Sequence, residues 1–257
     1  MKKNKMMRLA SAMMVMTLLT TSVISGTFAK YVTQDSASDK ARVAKWGVTV
    51  IAQNNDMFTT TYKTDATVED ATIVDSVVSS TTEKLVAPGT KNANGITFEI
   101  KGTPEVACKV AIKVGAVDDY NKVTDNPVVD VFLKKGEYDN PTTGITTDKF
   151  NVTEEYYYPV EYTLTRTPVG GSEELVKTGD LATVMAAFAA KTDEYPAKTV
   201  LDNVCGTYKL TWEWKFETSH DEADTYLGNL AAAGITSNAD ASTVINFGVE
   251  ISVTQID

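Results

Sequence analysis

Apolar and polar residues alternate with period two along most of this chain, the mark of strands with one buried face. Residues 41–52 predict a first strand, with Trp46, Val48 and Val50 on one face. A Thr-, Asp- and Ser-rich stretch over residues 53–83 follows, with weak strand character at 71–78. Its threonines suit edge strands and exposed loops. Ile96, Phe98 and Ile100 form one face of the next run, and Val106, Cys108, Val110, Ile112 and Val114 form that of another. Gly102-Thr103-Pro104-Glu105 joins the two, so they read as adjacent antiparallel strands. Residues 128–133 predict a short strand and 134–148 a loop. Tyr156, Tyr158, Val160, Tyr162 and Leu164 share a face, and Pro159 among them points to a sheet edge, because proline cannot donate to a ladder. The clearest half-buried strand is Tyr208, Leu210, Trp212, Trp214 and Phe216, interleaved with Lys209, Thr211, Glu213 and Lys215. Ile245, Phe247, Val249, Ile251 and Val253 form the last.

Helical spacing is confined to two places. Leu181, Val184, Met185 and Phe188 recur at that spacing after Asp180, a ready N-cap. Tyr226, Leu227 and Leu230 do the same within residues 221–233. Many short strands without a βαβ rhythm predict an all-β fold. We expect an antiparallel two-sheet, jelly-roll-like sandwich with one or two short helices in connecting loops. No internal repeat is present, and residues 41–257 read as a single domain.

The N-terminus departs from this pattern. Lys2, Lys3, Lys5 and Arg8 precede an apolar, small-residue run over 9–24, which leads to Thr27-Phe28-Ala29-Lys30. A basic start, an apolar middle and small residues before a cut are the parts of a secretory signal peptide. Thr27 and Ala29 take the −3 and −1 positions if cleavage falls between Ala29 and Lys30. A permanent anchor is the alternative, as is a retained packing helix of the pilin kind. Ser11, Thr17, Thr20, Thr21 and Ser22 interrupt the run, whereas a spanning helix needs about 20 mostly apolar residues. We therefore read 1–29 as a cleaved leader and 30–40 as a polar, flexible segment ahead of the first strand.

Charge narrows the partners. The chain holds 24 basic and 34 acidic residues, net −10. Residues 1–29 carry four of the basic ones and no acid, leaving 20 against 34, net −14. So acidic a chain repels phosphate backbones, which argues against nucleic acid as a partner. A hydrophobic content of 43% is enough for a sizeable core. Cys108 sits on a core-facing position as a small hydrophobe. Cys205 precedes Gly206 at a strand entrance, and sequence alone leaves open whether the two cysteines pair.

Candidate chemistry is sparse. His220 is the only histidine, so neither a paired-histidine zinc motif nor an HExxH helix can form. It lies in Ser219-His220-Asp221-Glu222-Ala223-Asp224 without a nucleophile elbow, which predicts an exposed loop histidine. Asp221, Glu222 and Asp224 could gather a calcium ion, but acids also favour a helix N-terminus and the twelve-residue EF-hand spacing is missing. Gly170-Gly171 lacks the Lys-Ser/Thr of a phosphate loop. Tyr156-Tyr157-Tyr158 could form a carbohydrate platform or be ordinary strand neighbours. No catalytic, metal or cofactor residues are assigned, and no cofactor is expected.

Several stretches together resemble the family of TasA and camelysin (CalY). Gly26-Thr27-Phe28-Ala29-Lys30-Tyr31 followed by Ala41-Arg42-Val43-Ala44-Lys45-Trp46 is similar to the family's N-terminal region. Leu85-Val86-Ala87-Pro88-Gly89-Thr90, with Phe98 and Gly102-Thr103-Pro104-Glu105-Val106-Ala107, resembles its Pro-Gly turn and flanking strands. Trp212-Glu213-Trp214-Lys215-Phe216, then Asp221 and Asp224-Thr225-Tyr226-Leu227-Gly228, resembles its closing region. The resemblance implies a jelly-roll subunit exported by Gram-positive bacteria through a SipW-type signal peptidase. It implies self-assembly into extracellular biofilm-matrix fibres, with accessory matrix or cell-surface proteins as further candidate partners. In that family the freed N-terminal segment completes the next subunit's sheet, and the matching residues here begin with Lys30, Tyr31, Val32 and Thr33. The region of the Asp180 helix and the two cysteines depart from the type member. Camelysin relatives also carry a metallopeptidase label, to which these residues lend no mechanism. The expectation is a structural, non-enzymatic secreted protein. A camelysin-type peptidase and a surface adhesin or carbohydrate-binding module are the alternatives.

Overall fold

The computed structural model describes residues 42–53, 57–63, 75–141, 148–216 and 218–256. Residues 44–257 make up one compact unit. Its strands are β1 (Val48–Gln53), β2 (Thr61–Lys63), β3 (Asp75–Val78), β4 (Lys91–Gly102), β5 (Cys108–Gly115), β6 (Phe132–Asp139) and β7 (Lys149–Tyr157), then β8 (Val160–Thr167), β9 (Glu174–Gly179), β10 (Asp193–Tyr195), β11 (Gly206–Trp214), β12 (Ala241–Ser242) and β13 (Gly248–Gln255). The helices are α1 (Leu181–Ala189), α2 (Leu201–Val204) and α3 (Asp221–Ala232).

All strand pairings are antiparallel. A five-stranded sheet runs β1-β4-β11-β8-β9, and two three-stranded sheets run β10-β5-β13 and β12-β6-β7. β2 and β3 form a separate ribbon. The inner faces share one hydrophobic core, so the sandwich has a continuous layer and a divided one. The fold is the expected antiparallel β sandwich, and it does not close into a barrel.

β11 lies at the centre of the large sheet, with Tyr208, Leu210, Trp212 and Trp214 all buried. Phe216, expected on the same face, lies beyond the strand and is exposed. α1 is capped as expected: the Asp180 carboxylate accepts from the Thr183 backbone N–H at 2.9 Å and from its hydroxyl at 2.6 Å. Leu181, Val184, Met185 and Phe188 are its buried face.

Four expectations of strand pairing and element placement need correction. β4 and β5 are not neighbours: β4 pairs with β1 and β11, whereas β5 pairs with β10 and β13. Alternation reports that a strand has a buried face, not which strand lies beside it. The Gly102–Glu105 turn carries the chain across the core instead of back along the sheet. At Gly102, φ is +122° and a Cβ would strike the Gly47 carbonyl oxygen, so this crossing requires glycine.

Second, Pro159 marks a switch between sheets, not an edge. It separates β7 in a small sheet from β8, which is paired on both sides in the large one. Tyr156 and Tyr158 therefore stay exposed while Val160, Tyr162 and Leu164 are buried. Third, β6 occupies Phe132–Asp139, part of the expected loop, because β7 supplies it with a ladder partner. Fourth, the described residues hold three α-helices. The unexpected α2 is a single turn held from outside. Arg166 donates to the Asn203, Val204 and Cys205 carbonyls at 3.1, 2.8 and 2.7 Å, and Asp202 accepts from the Gly102 N–H at 2.7 Å.

A buried carboxylate ties the two layers together. Asp130 accepts from the backbone N–H groups of Val131 and Leu181 at 2.9 and 3.0 Å and from the Tyr162 hydroxyl at 3.1 Å. Burial pushes its pKa up to about 7 against those three donors, and Asp180 adds to the rise. The folded state thus holds this proton more tightly than the unfolded chain does. The stabilisation is full below about pH 4 and lost as pH rises through about 7. Relative to Asp130→Asn, wild type is expected to lose on the order of 4 kcal/mol across that window. Urea melts of both proteins from pH 4 to pH 8 check this, and a constant difference between them would refute it.

Candidate assembly surface

Among the described residues, the sandwich is left open along one seam. Within the described residues β1 pairs on one side only, with β4, and Val48, Val50 and Ala52 stand opposite Gly102, Ile100 and Phe98. Directly opposed residues of an antiparallel pair share a face. Ile100 and Phe98 belong to the buried core, so Val50 points to the core side, yet it is 38% exposed. β13 repeats this on the other layer. Val249, Ile251 and Val253 stand opposite Val114, Ile112 and Val110 and are only half-buried. β1 and β13 approach one another, but no ladder joins them among the described residues. The seam therefore presents two strand edges and a strip of core-facing apolar side chains.

The other edges are interrupted or short. The pairing of β9 with β8 shifts register between Leu164 and Thr165, and that of β7 with β6 shifts between Lys134 and Gly136. Such bulges twist an edge and blunt its use as a template. β10 spans three residues and β12 two. β1 and β13 keep unbroken registers of six and eight residue pairs. Straight edges with an apolar inner face suit the addition of one more extended chain.

The sequence did not single out this seam. Val249, Ile251 and Val253 carry the same alternation as any buried strand. The available signal was position, since they lie on the last predicted strand and Val50 on the first. The expected cleavage residues Ala29 and Lys30, and the assembly segment Lys30, Tyr31, Val32 and Thr33, lie outside the described residues.

Around His220 the structure forms a packed polar cluster. The ring is half-buried, contrary to the exposed loop residue expected, and stacks on Tyr157 at 4.7 Å with 10° between planes. Its Nδ1 lies 3.0 Å from the Ser219 hydroxyl. Asp224 turns inward and accepts from the Tyr157 hydroxyl at 2.7 Å and from Trp214 Nε1 at 3.2 Å. Burial raises its pKa, and the two donors offset part of that rise. Its carboxylate thus anchors α3 to β7 and β11 and does not converge with the exposed Asp221. Among the described residues, no three His, Cys, Asp or Glu side chains gather at a point that could hold a metal ion.

Cys108 and Cys205 are both buried free thiols, each raised in pKa by burial. Cys205 Sγ lies 3.8 Å from the Tyr195 hydroxyl. Among the described residues, no helix is long and apolar enough to cross a membrane. Compared with known proteins, the chain matches no family model, no curated sequence and no solved structure.

Proposed function

We propose that this protein is an exported structural subunit that polymerises by strand addition. Residues 30–40 of one copy add to the open seam between β1 and β13 of the next. The observation that carries the reading is the seam itself: two bulge-free edges flanking core-facing Val50 and Ile251 that the fold leaves partly uncovered. An added strand gains backbone hydrogen bonds of about 0.5–1.5 kcal/mol each and removes apolar surface from water. Lys30 and Val32 would fall on one face of that strand and Tyr31 and Thr33 on the other. The resemblance to TasA and camelysin supports the same reading. On it, a SipW-type signal peptidase cuts after Ala29, outside the cytoplasm, and so frees the donor end.

Protein beginning at Lys30 is expected to form filaments visible by negative-stain electron microscopy. Protein lacking residues 30–40 is expected to remain monomeric, as is precursor retaining residues 1–29. Filaments from the truncated protein would remove the segment as donor.

A further inference from the structure

The Pro159 switch leaves an aromatic cluster on the surface that strand addition does not use. Tyr157 turns inward to Asp224, while Tyr156 and Tyr158 remain 39% and 37% exposed. Their ring centroids lie 5.9 Å apart with 31° between planes. Phe132 supports both, edge-on to Tyr156 at 5.5 Å and 83°, and tilted against Tyr158 at 6.2 Å and 58°. The two partly exposed tyrosines therefore form one aromatic pair at the surface, backed by Phe132. Neither phenol oxygen has a hydrogen-bond partner among the described residues.

Charges of both signs lie near the two tyrosines. Lys134 stands opposite Tyr156 in the ladder. Asp180, Asp130 and Glu155 act on the Tyr158 phenol, which burial and then these charges hold above its usual range. Asp130 is buried, so a phosphate would meet Asp180 and Glu155, and an ammonium would meet Lys134. An uncharged polyhydroxylated ring fits both features: its C–H face covers an aromatic face, and its hydroxyls meet phenols, carboxylates and ammonium. The ring separation is close to one sugar repeat in an extended β-linked chain.

We propose that Tyr156 and Tyr158, backed by Phe132, form a binding shelf for a neutral β-linked glycan. The site lies on the β6–β7 sheet, so it can be tested apart from strand addition.

The test is titration calorimetry of the full secreted chain with cellohexaose and with chitohexaose. Saturable binding of at least one is expected, weakened at least tenfold in Tyr156→Ala/Tyr158→Ala. Tyr156→Leu/Tyr158→Leu keeps the packing on Phe132 and should lose binding equally. Tyr120→Ala, at an exposed tyrosine on another loop, should bind as wild type. Circular dichroism establishes that each variant is folded. Failure to bind either sugar, or binding indifferent to both double variants, overturns the proposal. So does tighter binding of an oligolysine peptide that both double variants abolish, which would assign the shelf to cations.

Discussion

Replacing Phe188 by alanine is expected to cost about 3–5 kcal/mol of folding stability, the range for emptying a fully buried aromatic site. The ring is completely buried and joins α1 to the large sheet, 5.4 Å from Phe98 on β4 and 5.0 Å from Tyr208 on β11. α1 packs against β5, β8 and β9, so neither layer can collapse into the cavity without moving the helix. The loss thus combines transfer, dispersion and cavity terms. At this chain length it lowers the melting temperature by roughly 6–20 °C. Leu175→Ala, on the exposed face of β9, should change stability by less than about 0.5 kcal/mol. Urea midpoints check both. Similar midpoints for Phe188→Ala and Leu175→Ala would mean that α1 is not integral to the core.

That prediction was half legible in the sequence. Helical spacing after a capping aspartate located α1 and its inward face, because both signals are local. Its contacts with Phe98 and Tyr208 were not legible, since they depend on strands distant along the chain. The same division runs through the sandwich. Alternation found the inward residues of β4, β5, β11 and β13, but it placed β4 beside β5 because it carries no pairing information. Pro159 was legible as a break and misread as an edge, because a missing N–H also suits a change of sheet. Asp130 was passed over within the short strand expected at 128–133, where a lone charge among Val128, Val129 and Val131 was the available signal. Its partners, Tyr162 and the start of α1, come from elsewhere in the chain. The seam had no signature, because a half-covered core strand reads the same as a covered one.

The seam also yields the prediction that best separates fold from assembly. Val50→Lys should leave the monomer nearly intact. The position is already 38% exposed, so the lysine stem can lie along the edge of the core with its ammonium in water. A stability loss below about 1 kcal/mol is expected, against several for Phe188→Ala. An added strand would cover that ammonium, and burying an unpaired charge costs several kcal/mol, enough to cancel the gain from new ladder bonds. Val50→Lys protein beginning at Lys30 should therefore form no filaments, whereas Leu175→Lys on the β9 edge should form them normally. Mixing gives a sharper readout. On the proposed reading, Val50→Lys subunits keep the donor segment and lose the acceptor, and subunits lacking 30–40 do the reverse. Each should shorten wild-type filaments when added as a minor component, acting as a chain terminator at opposite ends. The two defective proteins together should form dimers and nothing longer, since only one productive junction is available between them. Normal filaments from Val50→Lys would move the acceptor away from β1. Dimers without filaments in the mixture would support one donor and one acceptor per subunit, which a head-to-tail fibre requires.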